Sequence, residues 1–121
     1  MNKFWKKKRG FTLIELLVVI GLLCILVLIA IPHFSSVRTR ACNAAAKSAL
    51  KNAYNAAQAF YTDSPAGTIT TTILENYGYT ADPNVNLNLV DGSPGSLSIT
   101  AAYNQLGAQT YSIDFIGSIS P

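Results

Sequence analysis

The sequence predicts an α+β protein: one long N-terminal helix, apolar in its first half and kinked near Pro32, packed on a small three-stranded antiparallel sheet. Three observations lead there. Residues 11–31 form a 21-residue apolar run whose single charged member is Glu15. Residues 35–61 are rich in alanine, the strongest helix former, with apolar residues spaced three and four apart. From about Ser64 the composition turns to Thr, Asn, Gly, Pro and Ser, with apolar residues at every second position, the period of a half-buried strand.

Residues 1–10 are a hydrophilic leader containing Lys3, Lys6, Lys7, Lys8 and Arg9. They account for the formal charge of +3, since from Gly10 onward four basic residues face six acidic ones, a net of −2. A basic nucleic-acid surface is therefore not expected, and nucleic acid is not expected as a specific ligand. The apolar run that follows matches the roughly 20 residues a helix needs to cross a bilayer core. The five cations before it would hold its N-terminal side in the cytoplasm. A secretory signal peptide has a shorter apolar core and a small-residue cleavage site after it. Here the run leads into Pro32-His33-Phe34, so cleavage beyond it is not expected.

Within this helix Pro32 removes one backbone hydrogen bond and crowds the preceding turn, and Gly21 is a second weak point; both are candidate kink sites. Val37, Ala41, Ala45, Ala46, Leu50, Ala53, Ala57 and Phe60 mark one mostly small-residue face, the side expected to meet the sheet. Arg40, Lys47 and Lys51 fall on another face, to be solvated or to bind acids on neighbouring subunits. Cys24 and Cys42 lie 18 residues apart, or roughly 27 Å along a helix, too far to pair within it.

Ile69, Ile73 and Leu74 anchor the stretch 68–77, which reads equally as a short helix or an irregular strand. Three strand candidates follow: Val85, Leu87 and Leu89; Leu97, Ile99 and Ala101; Tyr111, Ile113 and Phe115. The turns Asp91-Gly92-Ser93-Pro94-Gly95 and Asn104-Gln105-Leu106-Gly107 separate them. The simplest assembly is a meander whose apolar face covers the helix.

Little in the chain suggests catalysis. His33 is the only histidine and has no partner at metal-ligand spacing. The carboxylates are scattered, and the glycines show no phosphate-cradling pattern. No enzyme activity, metal or cofactor is expected. Glu15 stands apart, because a carboxylate within hydrocarbon costs several kcal/mol unless paired or shielded and such residues usually mark function.

Lys8-Arg9-Gly10-Phe11-Thr12-Leu13-Ile14-Glu15-Leu16-Leu17, with the apolar helix to Ile29-Ala30-Ile31-Pro32, resembles the N-terminal signature of type IV pilins and related pseudopilins. The ten-residue leader resembles that of the type IVa class. The resemblance covers about residues 6–34. It implies that a prepilin peptidase/methyltransferase cuts after Gly10 and methylates the new terminus at Phe11. It implies that Glu15 neutralises the Phe11 amine of a neighbouring subunit, and that the helix bends or unwinds at Pro32. The chain would then divide into a cleaved leader (1–10), a membrane and filament-core helix (11–33), an amphipathic helix of the head (34–62), and a loop region with the sheet (63–121). Its partners would be copies of itself, the inner membrane before assembly, the pilus assembly platform and the outer-membrane secretin. It would reside in the bacterial inner membrane as a precursor and on the cell surface as a pilus, serving adhesion, motility or DNA uptake. Two departures stand out: many relatives have glycine where this chain has Cys24, and many close a C-terminal loop with a disulfide, whereas no cysteine follows Cys42 here.

A major subunit of a type IV pilus is the leading expectation. A type II secretion pseudopilin or a minor pilin shares the same N-terminal apparatus, but the major pseudopilin usually carries a calcium loop near its C-terminus. Only Asp114 follows Asp91 among the acids. A different class is electron transfer along Phe11, Phe34, Tyr54, Phe60 and Tyr61, although aromatic residues at helical spacing more often form core. An uncut signal-anchored monomer is the remaining alternative.

Overall fold

The computed structural model describes residues 10–121. Six elements follow in order: α1 (Leu13–Asp63), α2 (Thr71–Asn76), β1 (Val85–Asp91), β2 (Ser98–Tyr103), β3 (Thr110–Asp114) and β4 (Ile119–Ser120). The chain divides into two units, the second being Val37–Pro121.

In the first unit every described residue is exposed. Helix α1 runs without a break through Gly21 and Pro32. Pro32 has no N–H to offer the carbonyl of Leu28, so one rung of the ladder is absent there. One turn on, the Ser36 hydroxyl donates to the His33 carbonyl at 2.9 Å.

The second unit is a helix-on-sheet core. The sheet order is β1-β2-β3-β4, antiparallel throughout. Its register stacks like with like: Leu89, Ile99, Ile113 and Ile119 lie in one cross-strand row, and Leu87, Ala101 and Tyr111 in the next. Cross-strand apolar pairs on one face are what stabilise such a sheet. That face meets Ala46, Ala49, Leu50, Ala53, Ala56 and Ala57 of α1, while Ile69, Leu74 and Tyr79 close one end of the cluster. Leu50, Leu74, Leu97, Ile99 and Ile113 are fully buried.

Three sequence expectations are corrected and one open alternative is decided. The sheet has four strands, not three: the chain turns at Asp114 and returns as the two-residue β4, too short to show a period of its own. Phe115 consequently lies outside β3, in the turn, and is 49% exposed. The buried face of α1 includes Ala46, Leu50, Ala53 and Ala57 as expected but is rotated at its margins. Val37 and Ala41 are exposed, whereas Cys42, Ala49, Ala56 and Tyr61 are buried. In an alanine-rich helix neighbouring faces are almost equally small, so residue spacing alone fixes the azimuth poorly. Finally, the undecided stretch 68–77 contains α2, a helix begun by Thr70, whose hydroxyl accepts from the Ile73 N–H, as an N-cap side chain does.

The loops are tied by side chains. The Asp91 carboxylate accepts from the Ser93 N–H and the Ser96 hydroxyl, each at 2.8 Å. These bonds to its charged form lower its pKa. Beside it, the buried Tyr61 hydroxyl donates to the Gly92 carbonyl at 2.8 Å. Burial, helped by the nearby Asp91 charge, pushes the Tyr61 phenol up. A side chain at Gly92 would collide with the Ile69 carbonyl, so glycine is needed where the two loops cross. At the far end of the sheet, the Cys42 thiol donates to Gln105 Oε1 at 2.9 Å and the Gln109 N–H to Asn43 Oδ1 at 3.2 Å. Cys42 is thus a packed residue that anchors the β2–β3 turn.

Candidate functional site at the N-terminus of the apolar helix

The site expected from sequence is Gly10, Phe11 and Glu15, with Gly21 and Pro32 further along the same helix. The leader cations occupy residues 1–9, outside the described residues. Gly10 precedes the helix outside regular secondary structure, is exposed, and among the described residues beyond its neighbours has nothing within 4 Å of where a Cβ would stand. The Phe11 side chain is 85% exposed.

Glu15 does more than sequence reasoning assigned to it. Its backbone N–H donates to Thr12 Oγ1 at 3.3 Å, and its Oε2 accepts from the Thr12 N–H at 3.4 Å. This reciprocal pair is a capping box, which satisfies two of the N–H groups a helix start leaves open. Its sequence signal is a threonine followed three residues later by glutamate, at the mouth of an apolar run. The carboxylate lies at the positive end of the helix dipole, where an anion is stabilised. Phe11, Ile14, Glu15, Val18 and Val19 line an open depression of about 470 Å³, so the acid sits among apolar side chains on the outer surface of the helix.

The apolar helix itself is bare. Leu13, Ile14, Leu16, Leu17 and Leu28 are each more than half exposed. At the helical rise residues 11–31 span roughly 31 Å, close to the hydrocarbon thickness of a bilayer. Lipid or other protein must cover such a surface. No cluster that could hold a metal occurs among the described residues.

The charged face of α1 is also placed. Lys47 Nζ lies 4.7 Å from the centre of the Tyr111 ring, and Lys51 Nζ lies 5.0 Å from that of Tyr54, both within cation–π range. Of the aromatic residues weighed as a path, Phe60 contacts Tyr61 and Tyr77 at centroid separations of 5.8 and 5.6 Å. These rings pack on and beside the core.

Residues 5–31 match the family model described as the prokaryotic N-terminal methylation motif. The chain is 40% identical over 63 residues to the type IV major pilin protein PilA of Myxococcus xanthus; the match covers 52% of this chain but only 29% of that protein. It is 30% identical over 100 residues to the type IV wide pilus major component PilA4 of Thermus thermophilus, a match covering 82% of this chain and 76% of that protein. The second match carries the likeness beyond the N-terminal motif and through most of the head, and with the long helix on an antiparallel sheet it identifies the chain as a member of the type IV pilins, the structural subunits of type IV pili.

Proposed function

We propose that the chain is the major subunit of a type IV pilus, cut after Gly10, N-methylated at Phe11 and polymerised from the inner membrane into a surface filament. One observation carries the proposal: an apolar helix, exposed all round, whose only charge from Phe11 to Ile31 is a carboxylate four residues from the scission point. Cutting after Gly10 creates a cationic amine at Phe11. In the filament the Phe11 amine of one copy would meet Glu15 of another, and two buried charges stranded apart would become a pair. The prepilin peptidase/methyltransferase, the assembly platform and the outer-membrane secretin are the partners this route requires. Pro32, with Gly21 before it, would be where the helix yields as it leaves lipid for the filament core.

The major-subunit reading is supported by the likeness to two relatives that are themselves major pilus components. Glu15→Gln tests it. Breaking a buried ion pair by removing one partner costs about 3–5 kcal/mol. The variant is therefore expected to insert into the inner membrane at normal level and to lose surface filaments by roughly tenfold or more. Filaments at wild-type yield would contradict the pairing.

A further inference from the structure

Three cations of α1 share one face. Arg40, Lys47 and Lys51 fall within about 40° of arc on a helix of 3.6 residues per turn, and all three are exposed. The fold sets this face along the β3–β4 margin of the sheet. Lys47 Nζ lies over the ring of Tyr111 in β3, and Lys51 Nζ over that of Tyr54, whose hydroxyl donates to the Phe115 carbonyl at 3.4 Å. Beside them the β3–β4 turn holds out Phe115 and Ile116, 49% and 69% exposed, and neither belongs to the core cluster. Near the Arg40 end, the β2–β3 turn is fastened to Cys42 and Asn43 and leaves Leu106 wholly exposed. Apolar side chains held on ordered turns lose little entropy on contact.

The acids lie elsewhere. Glu75 of α2 lines an open groove with Asn86 and Asn88 of β1, Asp82 precedes β1 and Asp91 ends it, and Asp63 accepts from the Tyr77 hydroxyl at 3.0 Å. Of the head's acids only Asp114 stands near the cations, and its Oδ1 is turned into its own loop, where it accepts from the Ile116 and Ser118 N–H groups at 3.2 and 2.9 Å. The head is therefore basic and apolar along one margin and acidic on the side of β1 and α2. Cations set among exposed apolar side chains make a surface that lies on lipid. Lysine stems cover apolar surface while their charged ends reach out. The chain itself selects that partner, because Val37, where the head begins, follows Ile31 of the apolar run by six residues, at most about 22 Å of extended chain. A tethered surface meets lipid at high effective concentration, so a small contact suffices.

We propose that, before assembly, the head lies on an anionic membrane surface through this margin, with Arg40, Lys47 and Lys51 at lipid phosphates and Phe115, Ile116 and Leu106 in the headgroup boundary. The membrane-embedded subunit makes the contact and gives it up on leaving the bilayer. The proposal rests on the membrane-anchor part of the reading above. Each cation near an anionic surface adds to the attraction, and salt screens the sum.

The test uses the full chain with Trp5→Phe, which removes its only tryptophan, in vesicles of phosphatidylcholine and phosphatidylglycerol. A single tryptophan is then introduced as Ile116→Trp or, at an exposed position of β1, as Asn88→Trp, and its quenching by dibrominated lipid is read. Quenching is expected to be roughly threefold stronger at position 116 than at position 88. Adding Lys47→Glu and Lys51→Glu is expected to bring position 116 down to the level of position 88, as is salt at about 0.5 M. Thermal melts of each variant control for the fold. Equal quenching at the two positions, or quenching that survives the lysine reversals, would overturn the contact while leaving the anchor standing. If that same reversal variant kept its quenching and lost its filaments, the lysines would belong to contacts between copies. A chain that does not float with vesicles would overturn the anchor itself, and the contact with it.

Discussion

Asp91 shows how one side chain sets a crossing of loops. Its carboxylate holds the Ser93 N–H and the Ser96 hydroxyl, and its pKa is lowered by those bonds. A group whose folded pKa is depressed contributes stability above its unfolded value, about 3.9 for Asp, and that contribution is lost as pH falls through the folded value. Thermal melting of the head against pH is therefore expected to show a fall in Tm below about pH 4. Asp91→Asn is expected to have a lower plateau and a shallower fall, and parallel curves would show that the turn does not sense this charge. The sequence offered Asp91-Gly92 as turn chemistry but gave no sign that Gly92 lies against Ile69, a contact between loops distant in the chain. Glu15 was legible for a different reason. A lone acid in an apolar run is conspicuous by composition, whereas its hydrogen bond to Thr12 depends on a local pattern easily hidden beside a membrane anchor.

Among elements, α1 and the first three strands were readable because each carries its own period. The length of the helix followed from continuous apolar and alanine-rich sequence, and the strands from alternation between turn residues. What escaped or stayed open lacked a period: the two residues of β4 were missed, and the six of α2 read equally as helix or strand. The face of α1 escaped in part because alanines surround it, so the larger residues decide the azimuth. Leu50 is the largest fully buried side chain that α1 contributes. Leu50→Ala is expected to lower the stability of the head by about 2–5 kcal/mol, the cost of lost burial plus the cavity left behind. Urea unfolding would check this. A loss under about 1 kcal/mol would show that the sheet collapses onto the gap.

At the scale of the molecule, the hydrophobic cluster draws all its members from Ala46 onward, while every residue of 10–38 is exposed. The head therefore has a core of its own. A fragment comprising Val37–Pro121 is expected to fold as a soluble monomer with a cooperative melt, checked by calorimetry and sedimentation. Aggregation or a broad, non-cooperative transition would contradict it. The exposed helix before it has the opposite character and is complete only in lipid or against other copies. That contrast gives the proposed route from membrane to filament its physical sense, and in that proposal the route would begin with a cut after Gly10. The most direct measurement is the mass of the chain recovered from sheared cell-surface filaments. The account predicts a chain beginning at Phe11 and about 14 Da heavier than its sequence, one methyl group on the new terminus. An intact chain beginning at Met1 and found only in membranes would contradict it.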